Sequence, residues 1–163
     1  MSKYLLGFSL ICSIGFIGCG SSGDDAGVTT SKLKGIWEKQ CQNTPANTSL
    51  KTVLVFEKDS FTRSSYEYND IGCKDNNIVK HIDIYYDYVL GKNVDTVDGK
   101  KATEIENTVT GFRVTDGTYS NDEIPSAGDK ERNIVYIDNK QLYIGEDKVP
   151  YSLDYQHYFT KIK

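Results

Sequence analysis

The chain predicts an all-β domain, an antiparallel up-and-down β-barrel of about eight strands, with a β-sandwich as the competing arrangement. Three observations carry this. Tyr, Val, Ile and Thr are abundant, and they fit pleated, half-buried surfaces. No long stretch repeats its apolar residues at helical period. Short alternating segments are separated by Gly, Asn and Asp turn signals. A meander leaves two open edges, and closing into a ring removes them.

Residues 51–56 read as a strand, Glu57-Lys58-Asp59 as a turn, and residues 60–68 as the returning strand, with Phe61, Tyr66 and Tyr68 as its bulk. Asn69-Asp70-Ile71-Gly72 and Asp75-Asn76-Asn77 are turn-rich and bracket Cys73. Residues 78–90 give the clearest alternation. Ile82, Ile84, Tyr86, Tyr88 and Leu90 share one face, and His81, Asp83, Tyr85 and Asp87 the other. Gly91-Lys92-Asn93 predicts a turn. Residues 94–97 and 102–109 flank Asp98-Gly99, a favoured hairpin pair. A strand over 111–119, broken at Asp116-Gly117, leads into a polar loop over 120–132. A hairpin follows, 133–137 and 141–145 about Asp138-Asn139-Lys140, and 155–162 closes the chain. There is no internal repeat.

The first residues are of another kind. Lys3 is followed by an uncharged, mostly apolar run over 4–17. A membrane crossing needs ~20 residues, so this run reads as the core of an export signal. It ends in Phe16-Ile17-Gly18-Cys19, followed by Gly20-Ser21-Ser22-Gly23. This resembles the lipobox of bacterial lipoproteins, with Phe16 where Leu is usual. The resemblance implies that residues 1–18 are a signal peptide and that Cys19 becomes the first residue, acylated with palmitate-type chains. Several chains anchor firmly, because each buried CH₂ contributes ~0.8 kcal/mol. Residues 19–31 are then a flexible tether, and 32–163 the barrel domain. By resemblance to enterobacterial lipoprotein sorting, Gly20 rather than Asp after the cysteine implies the outer membrane, with the face left open.

Removing Lys3 with the leader takes the formal charge from −4 to about −5. An acidic protein is a poor partner for nucleic acid, which needs a basic footprint, and equally poor at electrostatic attraction to anionic lipid, so the expected anchor is the acyl group itself. Of four cysteines, Cys12 leaves with the signal and Cys19 takes the lipid. The remaining pair, Cys41 and Cys73, is expected to be bridged in an oxidising compartment. Zinc is the alternative, but two distant cysteines without nearby histidines make a weak ligand set.

Leu33-Lys34-Gly35-Ile36-Trp37 is similar to the Gly-x-Trp opening of lipocalin-like barrels, and more narrowly of small bacterial lipocalin-like lipoproteins. The resemblance implies that Gly35 and Trp37 form the structural signature, with Trp37 plugging one barrel end. The closing Tyr158-Phe159-Thr160-Lys161-Ile162-Lys163 then lies beside the first strand. The family's customary C-terminal helix and Thr-Asp-Tyr motif are missing.

The chemistry is sparse. His81 and His157 are the only histidines, and a pair meeting in space could bind metal or exchange protons, though wall histidines are commoner. No Gly-x-Ser-x-Gly elbow and no phosphate loop leading into a helix is present. Asp95, Asp98 and Gly99 echo a calcium loop without its spacing or terminal Glu. The sequence therefore points away from an enzyme, a metal site or a cofactor. Two readings remain. In one, a lipid-anchored barrel holds a small apolar ligand against Ile82, Ile84, Tyr86 and Tyr88. In the other, a solid barrel acts through its loops as an interaction or inhibitor protein. Tyr85, Tyr143 and Tyr151 are candidate exterior contacts there.

Overall fold

A computed structural model describes residues 27–120 and 124–163. The signal 1–18, Cys19 and the tether as far as residue 26 lie outside the described residues. A one-turn helix α1 (Thr30–Leu33) is capped by the Thr29 hydroxyl. The strands follow in chain order: β1 (Gly35–Lys39), β2 (Gln42–Asn43), β3 (Ser49–Phe56), β4 (Ser60–Tyr68), β5 (Ile78–Asp95), β6 (Lys101–Asp116), β7 (Lys130–Asp138), β8 (Gln141–Glu146), β9 (Ser152–Leu153) and β10 (Phe159–Lys161). Every pairing is antiparallel. β1 pairs with β3 on one side and with β10 on the other, so eight strands close into a barrel, consistent with a lipocalin-like architecture. Short β2 pairs with β3, and β9 pairs with β8 off the ring.

The register defines two ends. Gly35, Phe56, Phe61 and Tyr86 stand level near one end, and Leu50, Glu67 and Lys80 near the other. At the first end Trp37 and Leu33 are wholly buried, and the Trp37 indole N–H donates to the Leu33 carbonyl at 2.5 Å. The short helix therefore folds back as a lid over the barrel interior, with Trp37 beneath it. Trp37 lies opposite Lys161 of the last strand and shares the core with Phe159, as the closure expectation required. At the other end Cys41 and Cys73 form the expected disulfide, with Cα atoms 5.9 Å apart.

Four sequence expectations are corrected. The expected tether, 19–31, overlaps residues that pack into the fold. Val28 is buried, its N–H bonds Thr103 Oγ1 at 2.7 Å, and Thr30 already begins the helix. Gly91-Lys92-Asn93 is not a turn. β5 runs through it, and the register slips by one residue between Leu90 and Asn93, so the glycine marks a β-bulge. Residues 102–109 and 111–116 are one strand, which loses its β7 partner beyond Thr108. The closing strand is only Phe159–Lys161, because the preceding chain crosses the outside of the barrel.

That crossing builds a second core. Val94, Ala102, Ile134 and Leu153 are buried together on the outer wall, with Tyr136, Tyr143 and Tyr151 half-buried against them. Adjacent Ile134 and Val135 thus serve opposite faces of β7, one in each core. Tyr143 and Tyr151 are consequently packing residues rather than open contact surface.

Candidate functional site

The interior is not filled evenly. On one side β3, β4 and β5 supply large rings. Phe61 stacks on Tyr86 with centroids 4.6 Å apart and on Phe56 at 4.7 Å, while Tyr88 meets Phe56 edge-on at 5.5 Å. Ile82, Ile84, Tyr86 and Tyr88 are all buried in this flank. Across from it, β6, β7 and β8 contribute shorter side chains, and a cavity of about 290 Å³ remains. Leu54, Phe56, Phe61, Ile105, Val135, Ile144 and Phe159 give it apolar walls. The four residues expected to line a ligand site are therefore backing: they hold the wall, and the space lies beyond them.

Four polar residues also line the cavity: Arg63, Asn107, Glu131 and Asn133. Arg63 Nη1 lies 3.8 Å from Glu131 Oε2, and its guanidinium sits over the Tyr86 ring, 5.2 Å from the centroid. The Tyr86 hydroxyl donates to Glu131 Oε1 at 3.4 Å. Burial pushes the Tyr86 phenol up to about 12; Glu131 adds to the rise and Arg63 opposes it. Asn107 is buried, and its Oδ1 has no hydrogen-bond donor. A buried acceptor without a donor costs about 1–3 kcal/mol, and Asn107 carries that cost inside the barrel.

The histidines do not meet on one centre. His81 Nε2 lies 3.1 Å from Asp83 Oδ1, and His157 Nδ1 lies 2.7 Å from Asp154 Oδ2. Asp83, buried on the outer wall, also accepts from Ser64 Oγ at 2.6 Å and Arg113 Nη2 at 2.7 Å. Burial alone raises that carboxyl. Hydrogen bonds from Ser64, Arg113 and His81 outweigh it and hold the carboxyl below its usual range. Ser64, His81 and Asp83 have the composition of a catalytic triad but not its order. The carboxylate stands between the other two, so the imidazole is not set to take the serine proton. Asp95 pairs with Lys101, and Asp98 accepts from Thr96, which makes them turn and rim groups. Among the described residues, no group of three His, Cys, Asp or Glu side chains is placed to hold a metal ion.

The class defined by this geometry is a closed antiparallel barrel with a partly hollow, mostly apolar interior. No protein-family model matches the chain, and no curated protein matches it either.

Proposed function

We propose that the protein is a lipid-anchored cell-envelope binding protein that holds a small, largely apolar ligand in its barrel, with Cys19 acylated in the outer membrane. The observation that carries the ligand reading is the 290 Å³ interior cavity, whose apolar walls converge on Asn107 and the Arg63–Glu131 pair. Ligand sites are typically apolar recesses with a few placed polar groups. The volume is that of about ten waters at ~30 Å³ each, which sets a small ligand. Native mass spectrometry of protein purified from its host tests this. A bound small molecule is expected, and Val135→Trp, which fills the cavity, should release it. Protein that carries nothing and binds no apolar probe sinks the reading. The anchor is tested separately. Intact mass should include acyl chains, and Cys19→Ala should lose them.

One observation favours the second reading, a protein partner. Phe112 and Val114 stand exposed on β6 beyond its pairing with β7, leaving an apolar strand edge. Phe112→Ser with Val114→Ser should weaken capture of a partner without changing ligand occupancy.

A further inference from the structure

A recess larger than the interior cavity opens elsewhere among the described residues. It is a cleft of about 530 Å³ outside the lidded end, lined by Lys32, Lys100, Lys101, Lys140 and Lys161, with Asp138 the carboxylate among its described lining residues. The whole chain is acidic, at −4, so this end opposes the protein's overall sign. The lysines come from separate elements: α1, the β5–β6 turn and adjoining start of β6, the β7–β8 turn, and β10.

Several of these ammonium groups are held in place. Lys161 Nζ donates to the Lys32 carbonyl at 3.0 Å, and Lys32 Nζ to the Gly27 carbonyl at 3.3 Å. Lys161 also lies over the Trp37 ring, 5.0 Å from its centroid, and Lys100 over Tyr136 at 5.8 Å. An ammonium carries three donors, so Lys161, which gives one to the Lys32 carbonyl, has others to offer. Lys101 pairs with Asp95 at the edge of the cleft.

Gly27 and Val28 form part of the cleft wall, so the N-terminal segment enters the barrel here. Cys19 lies eight residues before Gly27. Fully extended, those residues span at most about 29 Å. An acylated Cys19 therefore keeps this entry point within about 29 Å of the bilayer surface.

We propose that the lysine cleft is a docking site for the phosphate headgroup of an anionic lipid in the membrane that anchors the protein. Its orientation rests on the lipid-anchor reading; its charge and shape do not. Charge complementarity selects the occupant. Lysines near an anionic lipid surface each contribute roughly a fivefold factor in partition, and the acidic remainder of the protein is repelled. Docking sets the barrel upright, lidded end down and disulfide end outward.

The test uses the mature protein on phosphatidylcholine vesicles with or without phosphatidylglycerol. Brief amine acetylation is read lysine by lysine by mass spectrometry. On phosphatidylglycerol, Lys100, Lys140 and Lys161 should react at least roughly fivefold more slowly than on phosphatidylcholine. Lys74 and Lys148, away from the cleft, should not change. Lys100→Gln with Lys140→Gln should abolish the difference at Lys161, and both positions are exposed, so the fold is spared. Equal labelling of Lys161 on the two vesicles overturns the proposal. So does equal protection by inorganic phosphate on neutral vesicles, which assigns the cleft to a soluble anion. Flotation with pure phosphatidylcholine reports the acyl anchor by itself. Protein that floats only with phosphatidylglycerol loses the anchor reading and keeps the cleft.

Discussion

The two ends of the barrel are fastened by different physics. At the lidded end, residues 30–37 close the opening locally: a single helical turn, one large indole and one buried hydrogen bond. At the other end the chain is polar and turn-rich, with Asp70, Asp75, Asn76 and Asn77 around the opening. Little apolar surface is available there, and a covalent bond between residues 32 apart in sequence joins the β1–β2 break to the loop after β4. A second fastening lies on the outer wall midway between the ends, level with Val53 and Ser64, where Asp83 gathers Ser64, His81 and Arg113. Burial closes one end, a cross-link holds the other, and an ion cluster braces the wall between them. The lidded end should therefore answer to side-chain volume, the stapled end to redox state, and the mid-wall to pH.

Trp37→Ala tests the first half of that contrast and should have the largest effect, about 3–5 kcal/mol of lost stability in denaturant titration. A loss below about 1 kcal/mol would mean the lid closes nothing. Cys41→Ser with Cys73→Ser comes next. A closed loop of this length stabilises by roughly 3–4 kcal/mol on the chain-entropy model. Reductant should reproduce the effect in the wild type and leave the double variant unchanged.

Asp83→Asn is expected to cost about 1–3 kcal/mol, because it removes the charge that three donors surround. The pH dependence has a definite sign. The folded carboxyl ionises below its ordinary range, so the unfolded chain binds more protons as acid is added. The stabilisation is complete above the ordinary value near pH ~4, and it is lost as pH falls through the folded value. The variant should show a flatter acid limb in urea titrations, while Trp37→Ala should keep the wild-type slope. Asn107→Leu, between the two ends, should change stability least, by within about 1 kcal/mol, since it removes an acceptor that no donor meets. Its effect should instead appear as weaker retention of the small apolar ligand proposed above.

Legibility in the sequence followed how local the determinant was. The alternation from Ile82 to Tyr88 needed no tertiary information, and all four alternating residues are buried. Asp98-Gly99 and Asp138-Asn139-Lys140 were readable because their turns require positive φ, which Gly99, Asn139 and Lys140 adopt. Gly91-Lys92-Asn93 carried the same signal and meant something else. A bulge and a reversal both recruit such residues, and only the partner strand's register separates them. The outer core was hidden because Leu153 looks like any loop leucine until the chain crosses β8. The cavity was hardest to read. A void is where large side chains are not, and it depends on Ile105, Val135 and Ile144 from three strands at once. Bulky residues such as Tyr86 drew attention to the filled flank instead.

Because Ile134 and Val135 bury opposite faces, β7 has little solvent face along its middle, and β6 and β8 hold it from either side. No small local motion exposes its amides. They should exchange with deuterium only when the whole barrel opens, at a rate set by the global unfolding free energy. The end of β6, residues 110–116, shares a ladder with β5 alone and should exchange much sooner. One deuterium time course should then divide this barrel into a slow seam running down β7 and a fast lip at the end of β6.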